Sequence, residues 1–281
     1  MSWLTEPLGF EFMRMALLGS LLVGVSCATV GVYVVHRRLA FLGNAVAHTV
    51  LPGVVLAIIF GGSLIVGALI AAVVTSLAIA LTSSRAAVGE DTAIGVVFSA
   101  MFALGILLIS TRDSFRDLTD VLFGDILGVT DGELLTIGGI AALTVGLTVA
   151  FHKELELTTA DPVHAAAIGL NPEWIRTGLL LLLAPVTVAG IQAVGIIMVT
   201  ALLVTPAATA SLLTRRLVPM MLLSNAVAAI SCIAGLLLSW HLDASSGAAI
   251  VLCASALFAA AWTVDRVRRL RAERIPAPSI G

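Results

Sequence analysis

The sequence predicts an all-α integral membrane protein, a polytopic bundle of about nine transmembrane helices, with eight to ten open. Two observations carry this. Of 281 residues, 59% are hydrophobic and 11% charged, where soluble domains are about a quarter charged. The apolar residues also come in continuous blocks of about 20, such as "LIVGALIAAVVTSLAIAL", long enough as helix to cross about 30 Å of hydrocarbon. A transmembrane barrel would alternate in strands of about 10 residues instead.

Read in order, the spans lie near residues 13–35, 40–60, 63–82, 92–111, 134–151, 175–190, 193–213, 217–239 and 247–264. The first ends at His36-Arg37-Arg38, and the second is interrupted by Pro52-Gly53. The block 175–213 is nearly continuous, and its "PVTVAGIQAVG" is either a turn between two spans or a break inside one. The connections leave no room for a soluble domain, so 1–281 reads as a single transmembrane domain with an inner loop at 157–172 and a basic tail at 266–281.

Orientation follows from Lys and Arg. One side holds Arg37, Arg38, Arg85, Lys153, Arg176, Arg215, Arg216 and the tail arginines, 12 of the 15 basic residues; the other holds Arg14, Arg112 and Arg116. The first side is expected in the cytoplasm with the C-terminus, and nine spans then put the N-terminus outside. The start lacks a basic region before a short apolar core, so no cleavable signal peptide is expected. The outer loop 112–133 carries six acids, Asp120 and Asp125 among them, and Asp243 lies on the same side. An acidic mouth attracts cations, and it is equally what a solvated loop obeying the positive-inside rule looks like.

Composition also excludes. No Lys/Arg-rich run suits nucleic acid, and membrane lipid is the lateral partner. No GxxxxGK[ST] loop is present, so ATP hydrolysis by that route would need another subunit. Cys27, Cys232 and Cys253 lie in apolar blocks without CxxC spacing and read as small core residues.

Ionisable groups at bilayer depth are costly unless paired, which makes each one informative. His36 and His152 read as interfacial, His241 lies at an outer end and His164 in the inner loop; His48 alone sits well inside, about 12 Å deep at 1.5 Å per residue. Asn44 and His48 are i and i+4, on one helix face. Pro52 has no N–H for the His48 carbonyl, which leaves that oxygen available and should kink the helix. Gly53 permits close backbone approach. An imidazole and an amide oxygen on one face suit a transition metal; the same set also suits a hydrogen bond to a neighbouring helix at a structural kink. Two side chains do not complete a metal site, so other helices, water or a symmetry mate must supply the rest. A second broken helix, "GIIMVTALLVTPAATASLLTRR", has Pro206 freeing the Leu202 carbonyl, with Thr200 and Thr205 hydroxyls nearby. It reads as part of a permeation path or as a structural kink.

The inner loop "LTTADPVHAAAIGLNPEWIR" predicts a short helix, capped by Thr159 or Asp161, with Pro162 at its first position and Gly169 at its end. It is too short and polar to span, and reads as a docking lever or a plain surface helix.

Jointly, "RRLAFLGNAVAHTVLPGV", "VLFGDILGVTDGEL", "TTADPVHAAAIGLNP", "VGIIMVTALLVTPAATA" and "LDASSGAAIVL" resemble the membrane permeases of bacterial ABC importers for manganese, zinc and iron. The resemblance runs from about residue 37 to 252. It implies an ABC importer permease fold in the bacterial plasma membrane, a second copy of this chain, two cytoplasmic ATPase subunits and an extracytoplasmic metal-binding protein. Asp161, Pro162, Ala166 and Gly169 match the family's ATPase-docking loop. His48 matches a metal-contacting histidine, and Asn44 stands where the family commonly has aspartate. The implied role is a non-enzymatic permease with no permanent cofactor that passes divalent manganese, with zinc or iron next. A siderophore or cobalamin permease would need no imidazole ligand, and an ion-coupled secondary transporter would carry intramembrane carboxylates; none lies deep in a span here.

Overall fold

A computed structural model describes residues 6–83, 89–110 and 126–273. These residues form twelve α-helices and two short 3-10 turns, with no strand among them. The helices are α1 (Glu11–His36), α2 (Ala40–Thr49), α3 (Leu51–Phe60), α4 (Leu64–Ser83), α5 (Glu90–Ser110), α6 (Asp131–Ala150), α7 (His152–Ala160), α8 (Pro162–Ala167), α9 (Pro172–Val194), α10 (Ile196–Leu213), α11 (Leu217–Leu242) and α12 (Ser246–Glu273). With α2 and α3 taken as one span, nine described segments are long and apolar enough to cross a membrane. The chain is a multi-pass membrane protein, and the expected all-helical bundle is what forms.

Helix ends follow local chemistry. The Thr130 hydroxyl caps α6, accepting from the Glu133 N–H, while Glu133 Oε2 accepts from the Thr130 N–H at 2.9 Å. This reciprocal pair meets two N–H groups that the helix cannot. Glu133, counted in the acidic outer loop, thus has a structural partner. Asn171 caps α9 ahead of Pro172.

The ambiguity at 175–213 resolves into two helices joined by Gly195 alone, at φ 82° and ψ 164°. That positive φ suits glycine, which has no Cβ to clash. Beyond the turn the helices lie tightly back to back, since a Cβ on Gly190 would press on the Val199 side chain. Pro185 sits inside α9, so "PVTVAGIQAVG" is helix and the turn comes at its last residue. The last helix runs to Glu273, so the first part of the basic tail is a helical extension rather than a loose end.

α1 is the hub, buried along most of its length and packed against α6, α10 and α11. Close approach depends on small residues, as expected where lipid offers no hydrophobic drive for helix association. Gly31 of α1 lies on the Leu203 carbonyl of α10, and Gly235 of α11 on the backbone of Ile250 in α12. Gly53 and Ala57 of α3 face Gly67 and Ala71 of α4 backbone to backbone. Cys27 and Cys232 are buried and free, and Cys253 is half-buried, in line with the small-residue reading.

Candidate ion site and docking element

The second span breaks where Pro52 requires it. α2 ends at Thr49 and α3 begins at Leu51, with Val50 between them still at helical angles (φ −70°, ψ −19°). The fault is thus in the hydrogen bonding more than in the direction of the chain. The His48 carbonyl is not left bare, because the Val50 N–H turns to it. This revises the expectation of a fully open oxygen.

Asn44 and His48 share a face of α2, and both are half-buried. Neither side chain makes a hydrogen bond among the described residues, so an amide oxygen and an imidazole nitrogen are both available to a ligand. Around them the walls are apolar. The His48 ring meets the Phe98 and Phe102 rings of α5 edge-on, with centroids at 6.2 and 5.9 Å. Phe98 and Phe102 stack on each other at 5.7 Å, and Phe41 meets Phe98 at 5.8 Å. This aromatic collar limits the rotamers of His48 and excludes water from that side. The Phe98–Phe102 spacing of i, i+4 is readable in the sequence; that the pair faces His48 is not.

The second helix expected to break does not: α10 runs unbroken through Pro206, and it braces the first. Leu203 of α10, just before Pro206, lays its carbonyl on Gly31 and its side chain on Gly43, next to Asn44. Thr200 donates to the carbonyls of Ile196 and Ile197, and Thr209 to that of Thr205, all within α10. These hydroxyls bond back to their own helix, and none of the three bonds reaches the Leu202 carbonyl that Pro206 leaves without an N–H. Pro206 is buried and Thr205 half-buried.

No group of three or more His, Cys, Asp or Glu side chains able to hold a metal exists among the described residues. The Asn44–His48 pair is therefore at most part of a site within one chain. Of the acidic mouth, Asp120 and Asp125 lie outside the described residues, and Asp243 is exposed, closing α11 at φ 50°.

The inner loop forms two helices, α7 and α8, joined by Asp161 alone. Asp161, not Thr159, is the cap of α8: its Oδ1 accepts from the His164 N–H at 2.9 Å. Pro162 opens the helix, and Gly169 at φ 91° ends it, with the Leu170 N–H returning to the Ala165 carbonyl. Asp161, Pro162, Ala166 and Gly169 are all exposed, and so are Val163 and Ile168, at 79% and 57%. The short helix thus presents apolar side chains on an open face.

Polar contacts tie this element to the bundle. Arg37, after α1, donates from Nε to Thr159 Oγ1 and from Nη2 to Thr158 Oγ1, both at 3.0 Å. Burial pushes its guanidinium below the usual range, while Glu90 opposes the shift and Arg176 adds to it. Tyr33, fully buried, shares a 2.7 Å hydrogen bond with His152 Nδ1, whose other nitrogen faces Glu156 at 3.5 Å. Arg176 of α9 pairs with Glu90 at 3.2 Å and donates to the Ala80 carbonyl.

Comparison with known proteins agrees with this architecture. The model of the ABC 3 transport family matches residues 9–265. Among similar chains, the manganese transport system membrane protein MntC of Halalkalibacterium halodurans is 44% identical over 258 residues, 92% of this chain and 88% of that one. A probable iron transport system membrane protein of Haemophilus influenzae is 40% identical, covering 95% and 98%. The solved structure of PsaBC from Streptococcus pneumoniae in complex with Fab superposes with a TM-score of 0.81 at 33% identity, over 93% of this chain and 94% of that one. Nine apolar spans among the described residues, a broken second span and a capped inner helix accompany a family match along almost the whole chain, and this protein is a member of the ABC 3 transport family.

Proposed function

We propose that this chain is the permease subunit of an ATP-driven importer of divalent transition metal ions, with manganese the first cargo and iron or zinc next. The observation that carries this is the Asn44–His48 face of α2, two unbonded ligand groups at membrane depth. Relatives named for manganese and iron transport support the choice of cargo. Because the described residues of one chain supply two ligands at this face, two copies meet with their α2 faces toward a shared path and complete the coordination with paired side chains and water.

An ATPase subunit docks on α8, through Asp161, Pro162, Ala166 and Gly169, and an extracytoplasmic metal-binding protein delivers the ion at the acidic outer face. The protein sits in the bacterial plasma membrane with its C-terminus in the cytoplasm. A conduit must release what it binds, so a neutral amide at residue 44 suits a transient waypoint. Hydrolysis belongs to the partner, and this chain converts its motion into opening and closing of the path.

The test is radiotracer uptake of manganese and zinc in cells carrying His48→Ala, Asn44→Ala or Asn44→Asp. Loss of uptake in His48→Ala with the protein still in the membrane supports the site. Unchanged uptake of every divalent metal in all three variants refutes it.

A further inference from the structure

The helix α8 is hooked to the bundle on both flanks by an arginine, and the two arginines lead to the helix that carries His48 and to the helix whose phenylalanines face it. We propose that Arg37 and Arg176 are positioning residues that carry movement of α8 to the Asn44–His48 site, Arg37 through α2 and Arg176 through α5. This rests on the reading of α8 as the ATPase-docking helix.

On the upstream flank, Arg37 grips Thr158 and Thr159, the last turn of α7. Backbone bonds run across the junction with α8: the Asp161 N–H donates to the Leu157 carbonyl at 2.9 Å, and the Asp161 carbonyl accepts from Ala165 at 3.0 Å. Both bonds end on Asp161, the single residue joining the two helices, and α7 and α8 pack against each other, so a push on α8 reaches the end of α7. Arg37 stands three residues before α2, and Asn44 lies in the second turn of that helix.

On the downstream flank, Arg176 lies in the second turn of α9 and holds Glu90, the first residue of α5. Phe98 and Phe102 follow on α5, about two and three turns later. The two hooks are linked electrostatically, since both Glu90 and Arg176 act on Arg37.

A guanidinium held at two points fixes distance and angle together, so it transmits displacement where a single apolar contact would slide. Arg176 Nε and Glu154 Oε2 are buried without a partner among the described residues. They lie on α9 and α7, the two helices that flank α8.

The experiment uses the full chain with its ATPase, reconstituted in vesicles, measuring bound ATPase, ATP hydrolysis and radioactive manganese moved per ATP. Variants are Arg37→Met, Arg37→Lys, the pair Thr158→Val/Thr159→Val, Glu90→Arg, and the exchange Glu90→Arg/Arg176→Glu. Manganese per ATP should fall about tenfold in Arg37→Met and in the threonine pair, with ATPase binding and basal hydrolysis retained. Arg37→Lys should recover part of the loss, and the exchange should recover what Glu90→Arg alone removes. An unchanged ratio, or a fall only in step with lost ATPase or lost folded protein, overturns the proposal. A wild-type chain that recruits no ATPase overturns both readings. A coupled wild type with equally coupled variants overturns this one alone.

Discussion

Gly53→Ala tests the packing beside the broken span. In the native chain the backbones of α3 and α4 touch at Gly53 and Gly67. An added methyl would strike the Gly67 carbonyl and come within 2.7 Å of the Ala71 Cβ. Normal carbon–carbon contact is about 3.5–4.0 Å, so the helices must part by roughly 1 Å. Both obstacles belong to helix backbone or its first carbon, and neither can swing aside. Overpacking of this kind costs about 3 kcal/mol, the upper part of the usual range. Replacing a helical glycine returns about 1 kcal/mol, which leaves a net loss of ~2 kcal/mol. For a chain of this size that lowers Tm by roughly 4–8 °C. The assay is thermal unfolding of the detergent-purified protein, followed by retention of the monodisperse peak. Gly146→Ala and Gly178→Ala are the controls, since nothing lies within 4 Å of a Cβ at either site. Both should match or exceed the wild type. A Gly53→Ala protein as stable as these controls would refute the close-contact argument.

Other outcomes follow from the site and the docking element. Asp161→Ala removes the cap of a six-residue helix, a loss of about 1 kcal/mol, and should reduce both ATPase co-purification and uptake; Asp161→Asn, which still caps, should restore them. Tyr33→Phe removes the 2.7 Å bond to His152 and should lower stability by about 1 kcal/mol, seen as a small drop in Tm with uptake largely kept. Asn44→Asp replaces a neutral oxygen ligand with a charged one and should lower the KM for manganese uptake without raising the maximal rate; an unchanged KM would place residue 44 away from the ion.

The features legible in sequence are the ones governed by nearby backbone. Pro52 lacks an N–H, so the second span had to break near His48. Asp161 followed by Pro162 had to begin a helix, and Gly169 had to end it. Apolar length alone gave the spans, because each must satisfy its own hydrogen bonds in lipid. The turn between the two spans of 175–213 was legible only as one of two alternatives, and its place at Gly195 was not, because the residues on both sides are equally apolar; the helical reach of α12 escaped because its arginines read as tail.

What each helix faces was decided only by the tertiary structure. In a soluble bundle an apolar stripe marks the buried side, but lipid is as apolar as a protein core, so these helices are hydrophobic nearly all round and the stripe is lost. For that reason the sequence could set Asn44 and His48 on one face, yet not the Phe98–Phe102 collar that meets them. Nor could it bring Leu203 onto Gly43, or Arg37 to Thr158 and Thr159 more than a hundred residues away. The sequence by itself determined the spans, their breaks and the capped inner helix, all products of local hydrogen bonding; the packing of one span on another determined the surroundings of His48 and the links from α8 to it.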